Sequence, residues 1–207
     1  MLVKICGLTR AVDVPPAVEA GATHLGMIFA AASPRCVSVD EARLVREAIP
    51  PHVTAVGVFR GQTVDEVLAI AAELSLPCVQ LHGGYEESAI TRLRDAGLQV
   101  IWAIPVDERG RWSGTVIVPD IYLLDTQKAG VFGGTGAAFS WSSARRPTTP
   151  FLVAGGIGPH NLHIAIGALH PDGIDIGSAV EAAPGIKSHE RLRALGTALQ
   201  TLNHEAA

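Results

Sequence analysis

A single (β/α)8 barrel is the fold class this sequence predicts, and three observations predict it. Short apolar runs of β character begin near Leu2, His24, Thr54, Cys78, Gln99, Ile121, Phe151 and Gly173, each 21 to 30 residues after the last. Such an interval holds one strand, one helix and their loops, which is the repeat of a parallel sheet with crossover helices. Composition does not shift along the chain, so residues 1–207 read as one domain, at the compact end of the range for this fold. A doubly wound open sheet is the competing architecture. No G-x-G-x-x-G follows the first run, which weakens its dinucleotide-binding version.

The elements follow in order. The first run carries VKICG, in which strand alternation puts Lys4 and Cys6 on one face. Gly21 then stands where a helix C-terminal cap belongs. Amphipathic segments Val39–Ala48, Val64–Leu74 and Glu87–Ala96 follow the second, third and fourth runs, with Gly97 in a second cap position. The connection from Asp107 to Pro119 holds Gly110 and Gly114, so a short or irregular element is expected instead of a helix. The sixth run, IYLLD, ends at Asp125. GGTG at Gly133–Gly136 beyond it reads as a mobile active-site loop, and Arg145–Pro150 as an exposed connection. The segment Asn161–Leu169 follows the seventh run. In the eighth, GIDIGS puts Asp175 and Gly177 on one face, and His189–Leu199 reads as an amphipathic closing helix.

Several function classes are excluded at the level of composition. With 48% hydrophobic and 17% charged residues the chain is globular, not disordered. A net charge of −4 and a pI near 6.0 argue against a nucleic-acid partner, which needs clustered Lys and Arg. No run approaches the ~18 apolar residues of a membrane span, and MLVKICGLTR lacks a secretory signal, so a cytoplasmic location is expected. Cys6, Cys36 and Cys78 form neither a disulfide framework nor a metal-ligand spacing. His160 and His163 lack a third ligand, and no metal is expected.

In barrels of this kind the chemistry sits at the carboxyl ends of the strands. There the chain places Cys6-Gly7 on the first strand, Gln80 and His82 on the fourth, and Asp125 on the sixth. Gly155-Gly156 follows the seventh strand and Gly177-Ser178 the eighth. The first and eighth strands adjoin in a closed barrel, so Lys4 and Asp175 are expected to pair inside it, either charge alone being costly to bury. A Schiff-base role for Lys4, with a lowered pKa, is the alternative. Cys6 reads either as a small buried hydrophobe or as a proton acceptor. Asp125, after four apolar residues, is harder to explain structurally. Facing each other across the mouth, the two would make a base–acid pair, with the thiol pKa pulled down and the carboxyl pKa pulled up. The glycines AGGIG and GSAVE suit phosphate capture by backbone N–H groups, or simply tight turns.

These residues resemble the phosphoribosylanthranilate isomerase family along essentially the whole chain. The likeness rests on KICGLT at Lys4–Thr9, VGVF at Val56–Phe59, VQLHG at Val79–Gly83, LLDT at Leu123–Thr126 and GGTG. It continues through AGGI-x-P-x-N at Ala154–Asn161, then ID-x-x-S-x-VE and PG-x-K. The resemblance implies a compact barrel and a cofactor-independent Amadori rearrangement of N-(5-phosphoribosyl)anthranilate. It implies Cys6 as the general base at C2′, Asp125 as the acid that opens the ribose ring, and Arg35 as the residue holding the anthranilate carboxylate. Gln80, His82, Gly155, Gly156, Asp175, Gly177 and Ser178 complete the expected substrate-binding set, with the phosphate in the loops after strands seven and eight. The implied partner is thus a phosphorylated small molecule bearing a carboxylate, bound by a monomer or a homodimer. Alternatives are an isomerase of another phosphoribosyl amine and a non-catalytic phosphate-binding barrel. Departures from the family pattern stand at Ala137, Ser140, Gly177, Ala179 and Ser188, and Cys36 replaces an aromatic; most lie near the phosphate end.

Overall fold

The computed structural model describes residues 1–128, 131–132, 141 and 144–205. Eight strands begin at the eight expected residues: β1 Leu2–Cys6, β2 His24–Ile28, β3 Thr54–Phe59, β4 Cys78–His82, β5 Gln99–Val106, β6 Ile121–Lys128, β7 Phe151–Val153 and β8 Gly173–Ile176. Each pairs in parallel with the next, β5–β6 included, and β8 returns to β1. The sheet is a closed barrel, which overturns the open doubly wound alternative.

Alternation sorts each strand into two cores. Val56, Val58, Ile101, Ala103, Ile121, Leu123, Leu152 and Ala154 fill the interior, with Leu2, Cys6 and Ile28 packed against them. The other parity, including Ile5, Leu25, Val79, Leu124 and Ile174, faces the helices. On β6 the interior parity runs Ile121, Leu123, Asp125. The strand that supplies core at its base therefore delivers a carboxylate at its carboxyl end.

Six α-helices cover the barrel among the described residues: α1 Val14–Glu19, α2 Val39–Ala48, α3 Val64–Glu73, α4 Ser88–Asp95, α5 Leu162–Leu169 and α6 His189–Glu205. The amphipathic segments read from sequence agree to a residue or two, except that α6 runs beyond Leu199. Ser38 and Thr63 each close a capping box, with Glu41 and Glu66 respectively, which fixes where α2 and α3 begin. Gly21 and Gly97 adopt positive φ just past α1 and α4, as their cap positions required.

The connection between β5 and β6 contains no α-helix, as its glycines and proline foretold. Carboxylates organise it instead. Asp107 accepts from the N–H groups of Arg109 and Arg111, and Glu87 accepts from those of Val116 and Ile117. Beyond β6, Val131–Phe132 pairs antiparallel with Gln127–Lys128. The Gly133–Gly136 loop, Ala137 and Ser140 lie outside the described residues. No described helix is long and apolar enough to cross a membrane.

Candidate active site

The carboxyl ends of the strands enclose a cavity of about 590 Å³, within the ~300–1,000 Å³ usual for a small-molecule site. Every site residue expected from sequence lies on its wall. Cys6 comes from β1, Gln80 and His82 from β4, Asp125 from β6 and Asp175 from β8. Arg35 comes from the loop after β2, Gly155 and Gly156 from the loop after β7, and Gly177 and Ser178 from the turn after β8. Arg60, just past β3, also lines the cavity and was not singled out. Its place directly after VGVF, at a strand's carboxyl end, is the signal that could have found it.

Below the floor, Lys4 Nζ donates to Asp175 Oδ1 at 2.9 Å, and the two residues are paired in register across β1 and β8. The expected interior ion pair is therefore present, with Lys4 fully buried. Burial alone would pull the Lys4 ammonium down, but Asp175 and Cys6 outweigh it and hold its pKa above the usual lysine value. The Schiff-base alternative fails on this point, because it needs a neutral amine in contact with substrate. Lys4 is charged and is not on the cavity wall.

Cys6 corrects a second expectation. Burial pushes its thiol above the ordinary value, Lys4 opposes that rise, and Asp175 adds to it. The expected lowering does not occur in this state, because desolvation of a thiolate in the barrel interior exceeds the pull of one ammonium that is itself partly neutralised.

Asp125 Oδ2 lies 3.4 Å from His82 Nε2, so the two cavity-lining side chains from β6 and β4 face each other. Asp125 and Cys6 stand three strands apart around the ring, on separate sides of the mouth. The buried Gln80 side-chain oxygen has no hydrogen-bond partner among the described residues, although the residue lines the cavity. A buried polar atom without a partner is rare in a folded chain, and a ligand hydroxyl would satisfy it.

Arg35 is already engaged. Its Nε donates to both Glu181 oxygens at 2.9 and 3.1 Å, and one terminal nitrogen donates to Oε2 at 2.8 Å. Glu181 also accepts from Lys187 Nζ at 2.9 Å, and Lys187 donates to the Cys6 carbonyl oxygen at 2.6 Å. One edge of the guanidinium is thus committed to the protein, and the rest of the fork remains for a ligand. In the sequence Glu181 and Lys187 stand out only as letters of the family pattern, in VE and PG-x-K. Their buried network needs contacts more than 140 residues apart in sequence, which no local pattern encodes.

At the glycine end, Gly155 and Gly156 take φ of +90° and +67°. A side chain at Gly155 would overlap the Thr126 hydroxyl, so this turn admits only glycine. Asn161 ties the turn down, accepting from Gly158 N–H at 2.8 Å and donating to the Gly156 carbonyl oxygen at 2.9 Å. Two family departures have structural accounts. The Ala179 methyl packs against Gly158 and is not part of the cavity wall, so it does not narrow the approach to the glycine turns. Ser188 accepts from Arg191 N–H at the start of α6, an N-cap role for which serine is as apt as aspartate.

Comparison with known proteins agrees with this fold. The family profile of N-(5′phosphoribosyl)anthranilate (PRA) isomerase matches residues 3–197. The N-(5′-phosphoribosyl)anthranilate isomerase of Rubrobacter xylanophilus is 40% identical over 195 residues, covering 92% of this chain and 95% of the relative. The crystal structure of phosphoribosyl anthranilate isomerase from Thermus thermophilus superposes with a TM-score of 0.85 at 36% identity, over 98% of this chain and 100% of that one. Another phosphoribosyl anthranilate isomerase, solved in complex with reduced 1-(o-carboxyphenylamino)-1-deoxyribulose 5-phosphate, gives a TM-score of 0.78 at 29% identity, over 97% of this chain and 100% of that one. With a matching profile over almost all its length and a relative at 40% identity, this chain belongs to the N-(5′-phosphoribosyl)anthranilate isomerase family.

Proposed function

We propose that this chain, working as one barrel domain, converts N-(5′-phosphoribosyl)anthranilate to 1-(2-carboxyphenylamino)-1-deoxyribulose 5-phosphate in tryptophan biosynthesis, in the cytoplasm. The observation that carries the proposal is the wall of one cavity. It brings together a cysteine, a carboxylic acid facing a histidine, an arginine and two glycine turns from six different strand ends and loops. The ligand of the solved relative carries a carboxylate and a phosphate, as such a wall would require.

Asp125 donates a proton to the furanose ring oxygen while the C1′–O bond breaks and the nitrogen lone pair forms C=N⁺. The Cys6 thiolate then removes the C2′ proton. The released pair forms C1′=C2′, and the C=N⁺ pair returns to nitrogen. The enolamine tautomerises to the aminoketone, and Cys6 and Asp125 regain their starting states by proton exchange with water. The proton that Asp125 gives up is matched by the one Cys6 takes, so the sequence balances once water returns both groups to their starting states. Gln80 Oε1 accepts a ribose hydroxyl, and Arg35 uses its uncommitted edge for the anthranilate carboxylate. The turns at Gly155-Gly156 and Gly177-Ser178 hold the phosphate.

Growth of a tryptophan auxotroph lacking this step, on expression of this chain, is the expected result. It should be matched by loss of anthranilate-type fluorescence when purified protein meets the substrate. Soluble protein that does neither would refute the reading.

A further inference from the structure

A buried ion pair is an inefficient filler. Replacing one with apolar residues of similar volume is often neutral or stabilising, whereas removing one partner is strongly destabilising. Lys4 and Asp175 occupy a barrel interior otherwise built from Val56, Ile101, Leu123, Leu152 and similar residues. Above them, one step along the same strand face, stands Cys6.

Gly26, the residue of β2 paired with Cys6, shows how close the groups come. A methyl group placed on Gly26 would lie 3.0 Å from Cys6 Sγ and 3.4 Å from Lys4 Nζ. Sulfur and ammonium therefore converge on the same side-chain-free spot, and a larger residue on β2 would wedge between or displace them. The 2.9 Å bond to Asp175 holds the ammonium there.

We propose that Lys4, anchored by Asp175, is a positioning residue whose ammonium stabilises the Cys6 thiolate, and that Asp175 limits this effect by neutralising part of the charge. The catalytic meaning of this device rests on the isomerase reading; the charge coupling itself does not. Other charges face Cys6 as well. Lys187, bonded to the Cys6 carbonyl oxygen, also favours the thiolate, and Arg35 interacts with it from the loop after β2. His24 lies beside Lys4. Burial and the neighbouring ammonium push its imidazole down, so it adds no charge near neutral pH. Burial raises the Cys6 thiol in spite of Lys4, so without Lys4 it would rise further.

The test is the pH dependence of Cys6 alkylation by iodoacetamide, measured on the full chain in a Cys36→Ser background. Cys36 is exposed and would compete, whereas Cys78 is fully buried. Lys4→Met should move the alkylation midpoint up by about 1–3 pH units, the range for loss of an adjacent opposite charge. Alkylation at pH 7 should then slow by roughly tenfold or more. Asp175→Asn should move the midpoint the other way, because it leaves the ammonium unneutralised. If Lys4→Met does not fold, Lys4→Met/Asp175→Leu removes both charges and should still move the midpoint up. A merely structural pair would give no shift, or shifts of one sign in both single variants, and either result overturns the proposal. The acidic limb of kcat/KM should move in parallel with alkylation. Wild-type protein without isomerase activity, but with these shifts, would instead refute the functional reading and leave the coupling standing.

Discussion

In the proposed mechanism Asp125 and Cys6 carry proton transfers in opposite directions, so conservative replacements at each would separate chemistry from binding. Asp125→Asn keeps the shape of the group facing His82 but removes its transferable proton. Turnover should fall by roughly 10²–10⁴-fold, the usual worth of one general acid, while KM changes little. Cys6→Ser should be almost as damaging, since an alkoxide is far less accessible than a thiolate. Steady-state kinetics on folded variants check both, and an Asp125→Asn enzyme with full turnover would remove the acid from the mechanism. Arg35 is a different case, because its fork already grips Glu181 in two places. Arg35→Lys should raise KM strongly and lower kcat less, because a point charge cannot hold Glu181 and a ligand carboxylate in the same planar geometry. Unchanged affinity in that variant would take Arg35 out of the binding role. The family resemblance singled out Arg35, but nothing local in the chain shows that a glutamate 146 residues away holds it.

At the level of elements, helix starts and strand ends separate stability from activity. Ser38 both accepts from Glu41 N–H and receives its side chain, so Ser38→Ala should cost about 1 kcal/mol of unfolding free energy. Ser38 is not on the cavity wall, so kcat and KM should not change. Urea unfolding and steady-state kinetics on the same preparation measure the two sides. Gly155→Ala makes the contrast. It forces a side chain onto Thr126 at a φ of +90°, so it should distort the turn and weaken phosphate-bearing ligands more than it lowers global stability. Element boundaries were legible because they depend on local chemistry: the cap glycines, the strand period and the helix period. The extent of α6 beyond Leu199 was not, since nothing in the local sequence stops that helix there.

For the molecule as a whole, two buried carboxylates predict acid sensitivity. Burial alone would raise Asp13 and Glu181. Arg10, His189 and the Lys187 N–H at Asp13, and Arg35 with Lys187 at Glu181, outweigh it and hold both below the usual carboxylate range. A group with a depressed folded pKa stabilises the fold above its unfolded pKa, and that stability is lost as pH falls through the folded value. The melting temperature should therefore hold near neutrality and fall below about pH 4. It should fall less in Glu181→Gln, which has already lost one of the two contributions. Scanning calorimetry against pH reads both. Inorganic phosphate should raise the melting temperature if the glycine turns bind anions, because a ligand of the native state alone stabilises it. Local patterns in the chain set the eight strand starts and most of the candidate residues at the strand ends, because strand period, helix period and turn chemistry are local; closure of the sheet against the doubly wound alternative came only from the pairing of β8 with β1. Long-range packing alone decided the directions in which the Cys6 and Lys4 pKa values move, the clasp of Glu181 on Arg35 and the packing of Ala179 against Gly158. Each of these depends on desolvation and on contacts between residues far apart in the chain, and neither is written in any local run of residues.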